Sequence, residues 1–160
     1  MTIKRIILSF LILVSSFSAF AGAIGTWKSY LSYANIQWVE QGGNRLYVLA
    51  SDALYTYNKA DQSIQTYDKQ NGLSSIDIRF IGWNEVAKRL VIVYEDNNID
   101  LMDAKGNVTN VPDYYLKALT SDKTVYSIDM NGAYCYLSTG FGLVKLNVAK
   151  AEISDSYNLS

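Results

Sequence analysis

The sequence predicts an all-β chain made of β-propeller blades, about three four-stranded blades of an incomplete propeller. Three observations carry that reading. Apolar runs recur at even spacing: Leu46-Tyr47-Val48-Leu49, Leu90-Val91-Ile92-Val93 and Tyr134-Cys135-Tyr136-Leu137 begin 44 and again 44 residues apart, the length of one blade. Each run has the same companions, one strand-like segment before it and two after it. No helical pattern competes: the best candidate, residues 113–119, is short and follows Pro112, and is read as a loop.

The elements follow in order. The first blade takes strands near 36–39, 46–49, 53–57 and 63–67. The second takes 78–83, 90–93, 98–102 and 107–111, and the third 125–130, 134–137, 142–146 and 151–157. Unbroken apolar runs suit strands covered on both faces, as inner strands between neighbouring blades are. Outermost strands should be more polar, and Gln62-Ser63-Ile64-Gln65-Thr66 is. Turn residues fall between the strands: Asn58-Lys59-Ala60-Asp61, Asp103-Ala104-Lys105-Gly106-Asn107 and Asn131-Gly132. A sandwich or barrel would also show regular short strands; the near-constant spacing argues against both.

Residues 1–21 read as a secretory signal peptide. Lys4 and Arg5 supply the positive start, an apolar run follows, and Ala19-Phe20-Ala21 fits the cleavage pattern. Ala21-Gly22-Ala23 is a second frame. An uncleaved anchor is the alternative, but the run is shorter than the roughly 20 residues a spanning helix needs. No cysteine follows it, so it is not a lipoprotein signal. Residues 22–160 are then the exported part, about 139 residues or three blades. A closed propeller typically has about four to eight, so the chain is expected to be the N-terminal part of a longer protein or a truncated product.

Composition excludes much chemistry. The 160 residues contain no histidine, which removes the commonest general base and metal ligand. Cys135 is the single cysteine, so no intrachain disulfide or cysteine zinc site forms. The formal charge of −1 becomes −3 without Lys4 and Arg5, 12 basic against 15 acidic residues, which argues against nucleic acid. Cys135 reads either as a reactive thiol or as a small buried strand residue; its apolar neighbours favour the second.

The remaining motifs are weak. Asn71-Gly72-Leu73-Ser74 reads as a blade-to-blade connector with Leu73 tucked beneath a tight turn, rather than a ligand loop. Ser138-Thr139-Gly140-Phe141-Gly142-Leu143 lacks the third glycine or the lysine of a phosphate-binding loop and reads as a hairpin. Asp96, Asp100 and Asp103 do not match an EF-hand. Glu95 and Asp96 are adjacent, and no facing carboxylate partner for glycoside hydrolysis is evident. Asn107-Val108-Thr109 and Asn158-Leu159-Ser160 fit glycosylation sequons that matter only in a host with that machinery. Trp27, Trp38 and Trp83 either line a binding face or fill space between blades. No catalytic, cofactor or metal residue is assigned, and the ligand-binding residues are unknown.

Ile24-Gly25-Thr26-Trp27-Lys28, Asn71-Gly72-Leu73-Ser74, Asn98-Ile99-Asp100-Leu101 and Ser138-Thr139-Gly140-Phe141-Gly142 resemble, in this order, stretches of the PorZ-like proteins of the type IX secretion machinery of Bacteroidota. The Gly-Thr-Trp and Ser-Thr-Gly-Phe-Gly pieces are the more specific. The resemblance implies β-propellers followed by a β-sandwich C-terminal domain, at the outer cell surface with the sortase PorU and with PorV and PorQ. It implies a non-catalytic component that binds anionic lipopolysaccharide and presents it to the sortase. It supplies no binding motif to transfer residue by residue. The rival reading is the periplasmic, glycan-sensing propeller of a hybrid two-component regulator. A third, a glycan lyase or hydrolase, needs an acid, base or metal cluster that the sequence does not show.

Overall fold

The computed structural model describes residues 34–158, apart from 52 and 119. The expected leader, the Ile24-Gly25-Thr26-Trp27-Lys28 segment and with it Trp27 lie outside the described residues. Three antiparallel sheets of four strands follow one another along the chain. The first holds β1 (Ile36–Gly42), β2 (Arg45–Ala50), β3 (Ala53–Asn58) and β4 (Ile64–Tyr67). The second holds β5 (Ile78–Asn84), β6 (Arg89–Tyr94), β7 (Ile99–Asp103) and β8 (Val108–Asn110). The third holds β9 (Val125–Asn131), β10 (Tyr134–Thr139), β11 (Gly142–Asn147) and β12 (Glu152–Asn158). Every strand pairs only with its sequence neighbours, and β1, β5 and β9 lie side by side as the innermost strands. This is the expected blade order.

The middle blade shows why its runs are continuous. Side chains alternate across a strand. Leu90, Ile92 and Tyr94 of β6 pack with Tyr47, Leu49 and Leu54 of the first blade. Val91 and Val93 of the same strand pack with Cys135, Leu137 and Val144 of the third. Both faces are covered, so all five residues are fully buried, each contributing about 1.5–3 kcal/mol relative to exposure. The outermost strands have one face toward solvent: in β4 only Tyr67 is buried, and β8 and β12 bury no residue fully.

The structure corrects two details. Residues 113–119 are not wholly a loop, because Asp113–Leu116 form one helical turn, α1. Pro112 starts that turn, where a missing N–H costs nothing, and Tyr114 anchors it in the core. The second correction concerns the period. Opposite Gln41, Trp83 and Met130 stand Leu46, Leu90 and Cys135. The equivalent second strands therefore begin at Arg45, Arg89 and Tyr134, 44 and then 45 residues apart. Tyr134 does not occupy the place of Leu46 and Leu90. It lies on the opposite face, half-buried, where the Lys145 ammonium sits 4.0 Å from its ring centre.

Candidate functional site

Blade-to-blade connectors gather at one end of the sheets, and the β1–β2 and β3–β4 type hairpins gather at the other. The motifs singled out in the sequence mostly build the connector end. Asp68 opens the first connector. Its carboxylate accepts from the N–H groups of Gln70 and Asn71 at 2.8 and 3.0 Å, and Asn71 returns a bond from Nδ2 to the Thr66 carbonyl at 2.9 Å. Gly72 has φ of +131°, a conformation that L side chains rarely adopt. That turn drives Leu73 into the interblade core, where it is 5% exposed. Asn71-Gly72-Leu73-Ser74 is therefore a connector.

Asp100 sits fully buried beneath it. Its Oδ2 accepts from the Tyr94 hydroxyl at 2.6 Å and the Ser74 N–H at 2.8 Å, and its Oδ1 accepts from Asn110 Nδ2 at 2.8 Å. A buried carboxylate needs such donors. Burial pushes the Tyr94 phenol far above its ordinary range, and the Asp100 charge and hydrogen bond push the same way. Asp96 accepts from Ser75 Oγ at 2.6 Å and the Asn98 N–H at 2.9 Å. Asp103 lies at the other end of β7, capping its own turn through the N–H groups of Lys105 and Asn107. Asp96 and Asp100 are thus linked at the connector end through Asn98 and Asn110, while Asp103 serves its own turn, and no group of three metal-capable side chains occurs among the described residues.

Ser138-Thr139-Gly140-Phe141-Gly142-Leu143 is the β10–β11 hairpin. A Cβ on Gly142, at φ +151°, would stand 2.0 Å from the Tyr157 carbonyl oxygen, so only glycine allows β12 to pair there. Phe141 packs into the interblade core near Tyr114, with ring centres 6.4 Å apart. Cys135 is a buried core thiol. Burial, with a smaller push from the Asp129 charge, raises it to about 12. Trp83 fills space between blades, stacked on Tyr47 at 5.3 Å. Trp38 is different: it is 53% exposed on β1, its Nε1 donating to Glu40 at 2.7 Å.

The structure adds residues that the sequence reading missed. Each innermost strand carries a β-bulge at its connector end. Pairing skips Gln37 in β1, Arg79 in β5 and Tyr126 in β9. A bulge re-aims the extra side chain out of the alternating pattern. Arg79 pairs with Glu95 at 2.8 Å. Tyr126 is 56% exposed, and its hydroxyl donates to Asp122 at 2.7 Å. That bond and the Asp122 charge raise the Tyr126 phenol, with Arg79 close enough to oppose the shift. Thr124, through its backbone and its hydroxyl, holds the Asp122 carboxyl below its usual range, as does Tyr126. A signal for the bulges does exist in the sequence: Ile36 and Val39, Ile78 and Ile81, Val125 and Ile128 are each three apart where strand alternation demands two. The resulting inner rim offers exposed rings, an amide, a guanidinium and carboxylates. Groups of these types can stack on and hydrogen-bond to a ligand.

Three blades with radially ordered strands and a bulged inner rim define a β-propeller segment. The profile of the PorZ N-terminal β-propeller domain of the type IX secretion system matches residues 46–160, and the chain belongs to that family. PorZ of Porphyromonas gingivalis, an essential bacterial surface component of the type IX secretion system, is similar at 33% identity and a TM-score of 0.76, over 83% of this chain and 18% of that one. The extracellular domains of two B. thetaiotaomicron proteins share the fold. BT4673, described as a one component system, matches at 14% identity and TM-score 0.61, over 82% of this chain and 18% of that one. BT3049, described as a hybrid two component system, matches at 17% and 0.59, over 86% and 20%. The chain thus spans about a fifth of the length of these structures. No curated protein sequence matches it.

Proposed function

We propose that this chain forms the opening blades of a non-catalytic cell-surface component of the type IX secretion attachment complex, one that engages the complex's sortase, anionic lipopolysaccharide, or both. The observation that carries this reading is the 33% identity to PorZ across 83% of the chain, against 14–17% for the sensor domains, a level at which likeness speaks for fold alone. Two features support a binding role. The exposed groups of the inner rim are of the recognising kind, and the one thiol is buried in the core. Export is supported by the sequence of residues 1–21, and no described helix is long and apolar enough to cross a membrane.

The test is protease treatment of intact cells that express the protein, followed by immunoblotting. Cleavage without lysis is the expected result, together with recovery of the sortase when the protein is affinity-purified from the outer membrane. Full protection until lysis would overturn the surface assignment and favour the periplasmic sensor reading.

A further inference from the structure

The hairpin end of the first two blades holds an unexplained set of polar groups. Three buried side-chain atoms there have no hydrogen-bond partner: Arg45 Nη1, Tyr47 Oη and Tyr67 Oη. Tyr47 and Tyr67 are 0% and 2% exposed, and Tyr47 lies within electrostatic reach of Arg45, Tyr67 and Asp103. Buried polar groups are ordinarily paired, so orphans indicate a missing partner. The other two described arginines have theirs: Arg79 pairs with Glu95, and Arg89 donates to the Val148 and Ala149 carbonyls. No carboxylate lies within ion-pair distance of Arg45 among the described residues. Asp61 and Asp103 are nearby, but each is committed to its own turn, Asp61 to Ser63 and Asp103 to Lys105 and Asn107.

Arg45 also lines a pocket of about 410 Å³ between the blades, with Asn44, Asn58, Trp83 and Lys88. Its lining carries two cations, two amides and an aromatic wall, and no carboxylate. Glu85, on the Trp83 side, pairs with Lys88 and accepts from Trp83 Nε1, so Arg45 is the lining cation without an acid partner. A guanidinium cannot shed its proton to escape burial, so it needs an anion or ordered water.

We propose that this interblade pocket is an oxyanion site, in which Arg45, with Lys88 at the mouth, holds a carboxylate or phosphate group. Arg45 suits the task because its planar fork matches both groups with two parallel bonds. The site stands on its own geometry and does not depend on the secretion role; it is read out on purified protein, and the cell-surface test above is read out separately.

The experiment is calorimetric titration of the full chain at constant ionic strength with inorganic phosphate, with glucuronate and with neutral glucose. Saturable binding of at least one anion and none of glucose is expected. Arg45→Gln should weaken that binding at least about tenfold, the size of one charge-assisted contact, and Lys88→Gln by less. Binding of phosphate alone assigns a phosphate source, and binding of glucuronate alone a sugar acid. Thermal melts check folding, and Arg45→Lys, which keeps the charge, should retain more affinity than Arg45→Gln. Cooperatively melting protein that binds neither anion would overturn the proposal, leaving water as the partner of the three orphans, and so would unchanged affinity in Arg45→Gln.

Discussion

The two interblade interfaces are built from different materials. Between the second and third blades the buried packing is mainly aliphatic: Val91, Val93, Ile99, Leu101, Leu137, Val144 and Leu146 are all 0–1% exposed, with Asn84 and Arg89 donating to backbone carbonyls of the third blade at the hairpin end. Between the first and second blades it is aromatic and polar, with the Tyr47–Trp83 stack, the Tyr94–Asp100–Ser74 network and the orphaned Arg45, Tyr47 and Tyr67. Aliphatic side chains are non-directional and tolerate small shifts. Hydrogen-bonded groups accept one geometry and penalise every other. The first interface therefore holds more directional contacts than the second.

That contrast can be broken most sharply at Asp100. Asp100→Ala leaves the Tyr94 hydroxyl and the Ser74 N–H without their acceptor, and we expect a loss of about 4 kcal/mol in urea unfolding. A loss below about 1 kcal/mol would show the network to be dispensable. On the aliphatic side, Leu137→Ala should cost about 3 kcal/mol, with no change in anion binding at the Arg45 pocket. A parallel loss of that binding would mean that the interfaces are not independent.

The smallest effect concerns pH. Cys135 rises from 9.0 to about 12 on burial, and Tyr47 from 10.0 to about 12. Both raised groups favour the protonated, neutral form in the fold. Their stability is fully present below pH 9 and lost as pH rises toward 12. At pH 10 the thiol alone accounts for about 1 kcal/mol. Cys135→Ala should flatten the decline between pH 9 and 10, and the wild-type thiol should resist labelling at pH 8 until the chain is unfolded. Rapid labelling of folded protein would contradict its burial.

All twelve strands were legible in the sequence because each contains a run of the right length bounded by turn residues. The connector role of Asn71-Gly72-Leu73-Ser74 and the hairpin at Gly140-Phe141 were legible for the same reason. The one-residue offset at Tyr134 was not, because a tyrosine passes for a core residue on either face of a strand. The helical turn at Asp113–Leu116 was hidden by its shortness, since one turn leaves no periodicity to read.

The inner rim was harder still. Gln37, Arg79 and Tyr126 share no residue type, and only the broken alternation beside each of them marks their common place. Asp100, read in sequence as part of a loose acidic cluster, turned out to be the acceptor that binds a connector to its blade.

By itself the sequence determined the blade, because strand length, alternation and turn chemistry are local properties written in consecutive residues. It also determined that this stretch of chain has no histidine to bring to any site. Only the tertiary structure decided which side chains meet. Arg45, Tyr47 and Tyr67 come together, and Gln37, Arg79 and Tyr126 line up, only when strands pair in one register and blades stack face to face. Register and stacking are set by the sum of many contacts between distant residues, and no short stretch of chain records them.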